Sequence, residues 1–81
     1  MKMMSEEELL KALATNVCVY REKKGITREE LSEIIGKSSN YIERLENFTF
    51  KKLPSVETVY KIVLVLETTF NDLLDERNVA K

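Results

Sequence analysis

Residues 25–47, GITREELSEIIGKSSNYIERLEN, predict two short helices joined by a tight turn. Thr27 and Glu30 form a capping box, a reciprocal pairing of side chains and backbone N–H groups that marks the start of a helix. Gly36 ends this helix, because glycine adopts at little steric cost the left-handed conformation that a steep turn requires. Ser38 is expected to cap the helix that follows.

The apolar residues of this pair recur at three- and four-residue spacing, so each helix has one inward face. The second helix, over about 39–47, presents polar side chains outward. Ser32 is small at the expected crossing point, which allows the two backbones to approach closely. Such a pair has helix-turn-helix geometry, in which the second helix can enter a DNA major groove. The predicted inward residues are Leu31, Ile34, Ile35, Ile42 and Leu45.

Three more helices are predicted around this pair. Ser5 caps the first of them, Ser55 caps the fourth helix of the chain and Thr69 caps the fifth. The expected fold is therefore all-α, a compact five-helix bundle forming a single domain over 1–81 with its core at about 9–74. The inward residues of the fourth helix are predicted to be Val56, Val59, Ile62, Val63 and Leu66.

The composition argues against several classes of function. The sequence holds one cysteine and no histidine, so no internal disulfide and no Cys/His zinc site is expected. It has no glycine-rich phosphate loop and no histidine base, so we expect no enzyme, no cofactor and no metal. No apolar run reaches the length of a membrane span and no signal peptide opens the chain, so we expect a cytoplasmic protein without membrane contact.

From about Val17 to Leu74 the sequence resembles the Cro/XRE-type helix-turn-helix family, which includes the phage repressors. Two stretches carry the resemblance in the family's order and spacing, VYREKKGITREELSEIIGKSSNYIERLEN and LPSVETVYKIVLVLETTFNDLL. The resemblance implies a lambda-repressor-like DNA-binding domain of five helices. It also implies a transcriptional regulator, usually a repressor, that acts as a homodimer on a roughly palindromic operator.

The resemblance further implies roles for individual side chains. Asn40 can make two hydrogen bonds to adenine and Arg44 two to guanine, while Tyr41 either contacts DNA or packs against the protein. Arg21 and Glu46 match a partly buried pair that ties the first helix to the third. The predicted base contacts are Ser39, Asn40, Tyr41 and Arg44. The predicted phosphate contacts are Arg28, Lys37, Ser38, Lys51 and Lys52.

Several positions depart from the family pattern, among them Lys37, which replaces an apolar residue in the turn. Arg28 stands where members often carry glutamine, so the side-chain bridge from that glutamine to the recognition helix is expected to be lost. Phe48 stands where glycine commonly ends the third helix, so that end is expected to close differently. Glu67 likewise stands where the fourth helix usually meets glycine.

The formal net charge is only -1, and it is unevenly distributed. Between Tyr20 and Lys61 nine basic and seven acidic residues give +2, whereas the two ends hold four basic and seven acidic residues. Because phosphate binding depends on the charge of the local face, the acidic ends do not exclude double-stranded DNA as a partner. They do predict modest non-specific affinity, and hence dependence on dimerisation and on a specific site.

Two further predictions concern partners. A homodimer is expected, with a seam that could involve Cys18, Val19, Leu64 and the C-terminal segment, and control by a partner protein is left open. The rival reading is a protein-interaction module on the same scaffold, such as an antitoxin or antirepressor without strong DNA binding. In that reading the outward row is a solvated helix face with ordinary surface lysines. The low net charge, Phe48, Phe50 and Leu64 favour this alternative.

Overall fold

The computed structural model describes residues 3–78 and folds them into five α-helices and one short 3-10 helix. α1 spans Glu6–Lys24, α2 Arg28–Ile34, α3 Tyr41–Glu46, α4 Val56–Leu66 and α5 Phe70–Leu73, and the 3-10 helix follows at Glu76–Asn78. No strand occurs among these residues, so the predicted all-α five-helix architecture is confirmed. None of the helices in this range has the length and hydropathy needed to cross a bilayer.

α1 is the central element of the bundle and contacts α3, α4, α5 and the 3-10 helix. α2 packs mainly against α3, and it also touches α4. Four of the five α-helices begin where capping side chains were predicted, with hydroxyls of Ser5, Thr27, Ser55 and Thr69 accepting backbone N–H bonds three residues later. The core residues are Leu10, Leu13, Val17, Leu31, Ile35, Ile42, Leu45, Val59, Ile62, Val63, Leu66 and Leu73.

Two residues predicted to face the core are exposed instead. Ile34 is 59% exposed and Val56 is 76% exposed. Successive residues of an α-helix are rotated by about 100°. In each helix a buried polar residue, Ser32 in α2 and Thr58 in α4, takes an inward position and shifts the buried face away from the predicted apolar residue. The prediction failed because it assigned the buried face from the apolar residues, although it had placed Ser32 where the two helices cross.

α3 begins later than the sequence predicts. It starts at Tyr41 with Asn40 as its N-cap residue, and no side chain caps it. The Ser38 hydroxyl instead donates to Asn40 Oδ1 at 3.1 Å, and the Ser38 carbonyl accepts from the Tyr41 N–H at 3.0 Å. The prediction that Ser38 caps a helix over 39–47 is therefore wrong, because residues 38–40 form a turn and the helix begins only at Tyr41.

The ends of α3 and α4 close in the left-handed conformation without glycine. Phe48 has φ 61° and Glu67 has φ 54°. After α3 the N–H of Phe48 donates to the Leu45 carbonyl at 3.1 Å, and the N–H of Thr49 donates to the Arg44 carbonyl at 3.2 Å. The expectation that this end closes differently is wrong: the backbone keeps the left-handed turn, and an L-residue carries its steric cost.

A buried asparagine attaches the C-terminal segment, residues 73–78, to α1. The amide nitrogen of Asn16 donates to the Leu73 carbonyl at 2.8 Å and to the Asp75 carbonyl at 3.0 Å. The sequence predicts that the last five residues, RNVAK, fray. The first two of them belong to the 3-10 helix, and residues 79–81 lie outside the described range.

Candidate nucleic-acid interface

Ser32 connects α2 to the start of α3. Its hydroxyl donates to the Arg28 carbonyl at 2.8 Å and accepts from the Ile42 N–H at 3.0 Å. Ser32 is fully buried, and its bond with Ile42 is shielded from water, whereas its bond with Arg28 is partly buried. The sequence predicted only that a small residue is needed here, whereas this hydroxyl also satisfies one of the orphan N–H groups of the first turn of α3.

The turn between α2 and α3 depends on the backbone conformation of Gly36. Its φ is 78°, and the N–H of Lys37 donates back to the Ser32 carbonyl at 2.9 Å. A Cβ at Gly36 would meet nothing within 4 Å. Glycine is therefore required by the left-handed backbone and not by crowding, which agrees with the sequence-based argument.

The carboxylate of Glu46, the last residue of α3, accepts hydrogen bonds from two arginines. Arg21 donates from Nε to Oε2 at 2.8 Å and from Nη2 to Oε1 at 3.1 Å. Arg28 donates from Nε to the same Oε1 at 2.9 Å. The Glu46 side chain is only 2% exposed, and its hydrogen bond raises the pKa of Arg21. The carboxylate thus links α1, α2 and α3.

The contact between Arg28 and Glu46 corrects an expectation. The sequence predicts that α2 loses its side-chain bridge to the recognition helix where arginine replaces glutamine. The structure places a bridge there, from the first residue of α2 to the last residue of α3. The predicted pairing of Arg21 with Glu46 is also present, and Arg21 Nη1 additionally donates to the Ile26 carbonyl at 2.9 Å.

The polar row predicted to read bases lies on the outer side of α3 and of the turn before it. Ser39, Asn40 and Arg44 are exposed, and Ser38 is exposed beside them. Glu43 is exposed on the same helix, which leaves one acidic side chain among these residues. The row is therefore accessible to a partner from outside the bundle.

Tyr41 packs against an aromatic residue from the loop after α3. The rings of Tyr41 and Phe50 meet edge to face, with centroids 5.1 Å apart and an interplanar angle of 76°. The Arg44 guanidinium lies 5.4 Å from the Phe50 ring centroid, and Lys37 Nζ lies 5.3 Å from that of Tyr41. Burial raises the pKa of the half-buried Tyr41. Packing thus accounts for much of Tyr41, and these rings hold the two basic side chains by cation–π contacts.

Comparison with known proteins places this geometry in a family. A sequence model of the helix-turn-helix family matches residues 20–73, from the end of α1 through α5. The chain belongs to the Cro/XRE helix-turn-helix family. This family consists of DNA-binding transcription regulators, and the resemblance stated from the sequence is confirmed.

Two individual proteins are similar to this Cro/XRE chain. The HTH-type transcriptional regulator SinR of Bacillus subtilis is 32% identical over 59 residues, which are 73% of this chain and 52% of SinR. The chain thus spans about half the length of that relative. The crystal structure of a hypothetical transcription factor, NHTF from Neisseria, superposes with a TM-score of 0.74 at 24% identity. That alignment covers 91% of this chain and 83% of NHTF, and it shows a shared fold.

The Cro/XRE domain brings most of its predicted site residues together around α3. Lys37 lies just before the helix, and Lys51 and Lys52 are exposed in the loop that follows it. Sequence reasoning named Phe50 only in support of an interaction module, and it did not predict the contact with Tyr41, which is set by the path of the loop and has no local pattern. Within residues 3–78 no group of three or more His, Cys, Asp or Glu side chains is arranged to hold a metal ion.

Proposed function

We propose that this Cro/XRE chain is a sequence-specific DNA-binding transcriptional regulator, a repressor that acts as a homodimer on a roughly palindromic operator. The observation that carries the proposal is an exposed row, formed by Ser39 and Asn40 just before α3 and by Arg44 on it, beside a helix whose two ends are held by buried polar groups. A fixed helix with outward Asn and Arg side chains suits base reading in a major groove. Repression follows from occupancy, because a bound operator that overlaps a promoter is closed to polymerase.

Base reading uses the row in a definite way. Asn40 bonds adenine through its carbonyl oxygen and its NH₂ group together, and Arg44 bonds guanine through two N–H groups. In the free protein Asn40 Oδ1 accepts the Ser38 hydroxyl. Adenine competes for that oxygen and releases the hydroxyl, which can then donate to a phosphate at the same edge of the groove. Ser39 and Tyr41 supply further contacts beside these two.

Phosphate binding comes from basic residues on both sides of α3. Lys37 precedes the helix, while Lys51 and Lys52 follow it. Each lysine that neutralises a phosphate releases a counterion and steepens the salt dependence of binding. Arg28 belongs to the same predicted group, although its Nε is engaged with Glu46 in the free protein.

The test is a selection of bound fragments from genomic DNA followed by titration at moderate salt. The Asn40→Ala, Arg44→Ala double variant is compared with wild type and with an Asn71→Ala, Arg77→Ala control that removes the same residue types from exposed sites near the C-terminus. Each base contact contributes about 1–3 kcal/mol of discrimination, so the test variant, which removes two of them, should lose at least about 30-fold in preference for the selected sequence. Wild type without any preference over random DNA would refute the proposal.

The homodimer has a candidate surface on α4. Val56, Tyr60 and Leu64 recur every four residues along its outer face, and each is more than half exposed. If two copies pair antiparallel about Tyr60, Val56 of one lies against Leu64 of the other, and Glu57 lies beside Lys61. A surface of this kind is complementary to itself in both shape and charge. Of the other residues considered for the seam from sequence, Cys18 and Val19 are half-buried.

Light scattering coupled to size-exclusion chromatography tests this surface. A Tyr60→Asp, Leu64→Lys variant should elute as a monomer at concentrations where wild type is dimeric. Ile34→Lys is the matched control, because Ile34 is an exposed apolar residue on α2 and its replacement should leave the dimer intact. A monomeric wild type at high micromolar concentration would contradict the homodimer.

The second candidate is a protein-interaction module, such as an antitoxin or antirepressor, which binds a protein through the same scaffold. The exposed Phe48 and Leu64, together with the net charge of -1, favour it. A Phe48→Ser variant separates the two functions. It should leave operator binding unchanged if the chain is a repressor, and it should weaken capture of the partner protein if the chain is an interaction module.

A further inference from the structure

The Arg28–Glu46 contact carries an inference about how the recognition helix is aimed. Glu46 already has two hydrogen bonds from Arg21, whose side chain is 9% exposed, so its buried charge is neutralised without a second arginine. Arg28 adds a positive charge that the pair does not need. What Arg28 contributes instead is a direct connection between two helices, at 2.9 Å from Nε to Oε1.

Two side-chain hydrogen bonds join α2 to α3, and they lie at opposite ends of α3. Ser32 in the middle of α2 holds the N–H of Ile42 near the start of α3. Arg28, the first residue of α2, holds Glu46, the last residue of α3. Arg21 already holds Glu46 to α1, and Arg28 holds the same carboxylate to α2. Together with the Ser32 bond, the Arg28 bond therefore ties both ends of α3 to α2 and sets the tilt between these two helices.

The surroundings of Arg28 disfavour a phosphate. Its side chain is 44% exposed, and it borders a polar depression that Glu22, Glu29 and Glu43 also line. Three carboxylates that line the same depression as Arg28 lower the positive potential that a phosphate would require.

We propose that Arg28 is a positioning residue, which orients the recognition helix through Glu46 and does not bind DNA phosphate. The proposal rests on the proposed DNA-binding function, and it replaces the phosphate role predicted for Arg28 from sequence. If Arg28 has this role, the preference for operator over random DNA depends on the N–H donor at the ε position of residue 28 and depends little on the charge of that residue.

Two substitutions separate the donor from the charge. Arg28→Gln keeps a nitrogen donor bonded to Cδ, as Nε is in arginine, and removes the charge. Arg28→Met is similar in length and removes both. If Arg28 positions α3, the glutamine variant keeps the preference for operator over random DNA, and the methionine variant loses about tenfold, as expected for one hydrogen bond to a charged group. Both variants keep the wild-type slope of log K against log salt.

The opposite pattern would overturn the proposal. If Arg28 binds phosphate, both variants lose affinity for all sequences to the same extent, and both salt slopes become shallower by about 0.9 for each protomer bound. The matched control is Lys52→Met, which should show that shallower slope with an unchanged preference.

A measurement without DNA distinguishes failure of this inference from failure of the proposed function. Amide chemical shifts of residues 41–46 should move in Arg28→Met and stay near wild type in Arg28→Gln. Equal shifts in the two variants would refute the positioning role, whatever the DNA experiments show. If the shifts behave as expected and wild type prefers no sequence, the link between the helices stands and the DNA-binding function fails.

Discussion

Replacing Asn16 by alanine should detach the C-terminal segment from α1. Asn16 is fully buried, and its amide nitrogen donates to two backbone carbonyls, those of Leu73 at 2.8 Å and Asp75 at 3.0 Å. Alanine removes this donor from both carbonyls and leaves a small gap beneath them. No other part of α1 has to change for this to happen.

The size of the effect follows from the two carbonyls. A buried acceptor that loses its partner costs about 1–3 kcal/mol. The Leu73 bond is buried and the Asp75 bond is partly buried, so the second belongs at the low end and the sum is about 2–4 kcal/mol. A small domain has a free energy of unfolding of about 5–15 kcal/mol, so this is a large share. The Tm should fall by roughly 10–30 °C.

Urea and thermal unfolding followed by circular dichroism measure this loss. Asn71→Ala is the control, because Asn71 is exposed on α5 and its replacement should change the free energy of unfolding by less than about 0.5 kcal/mol. Hydrogen exchange should show the loss of protection concentrated in α5 and the 3-10 helix. An Asn16→Ala protein within about 0.5 kcal/mol of wild type would refute the reasoning.

Asn16→Asp adds a test of the donor itself. An ionised carboxylate offers the two carbonyls no N–H or O–H and buries a charge, so at neutral pH this variant should be less stable than Asn16→Ala. Burial raises the pKa of such a carboxyl in the folded state, and protonation restores an O–H donor. Its stability relative to Asn16→Ala should therefore be greatest below the unfolded pKa of about 4 and fall as pH rises. A difference that is independent of pH would contradict the role of the donor.

Three further outcomes are expected. The Glu67→Gly variant should be more stable to unfolding than Glu67→Ala by about 0.5–1 kcal/mol. Both variants lose the ion pair with Lys24, but only glycine adopts the φ of 54° without steric cost. Equal urea midpoints for the two variants would contradict this. Gly36→Ala should cost about 1 kcal/mol although the site has room for a Cβ, since φ is 78°, and an unchanged midpoint would show that the turn relaxes. Hydrogen bonds from Arg77 hold the pKa of Asp75 at about 2 in the folded protein. The stabilisation of the folded state by these bonds is therefore fully present above the pKa of Asp75 in the unfolded chain, near 3.9, and is lost as pH falls through about 2. An NMR titration of Arg77→Ala should move that pKa upward, and an unmoved value would assign it to another cause.

Much of the fold could be predicted because its signals are local. A hydroxyl such as that of Thr69 caps a helix by accepting an N–H three residues later, so the donor and acceptor are visible together in the sequence. Gly36 marks the turn for the same reason, since its φ is a property of one residue. The errors at Ile34 and Val56 came from helices that bury a polar residue, because a hydrophobicity pattern assigns no inward position to Ser32 or Thr58.

The candidate site was predictable in its residue types and less so in its contacts. The outward row of Ser39, Asn40 and Arg44 follows from helical spacing and family resemblance, and it is exposed. The partner of Arg28 could not be read in the same way. The family pattern indicated a lost bridge, and the structure instead joins Arg28 to Glu46, 18 residues away.

The sequence alone determined the order of the helices, most of their starts, the turn at Gly36 and membership in the Cro/XRE family. The tertiary structure decided how Tyr41 packs on Phe50, which carboxylate Arg28 meets, and how Asn16 holds carbonyls 57 and 59 residues away. The physical reason is range. Backbone conformation and capping depend on neighbours within about one helical turn, whereas a hydrogen bond between distant residues depends on where the packed core brings their atoms.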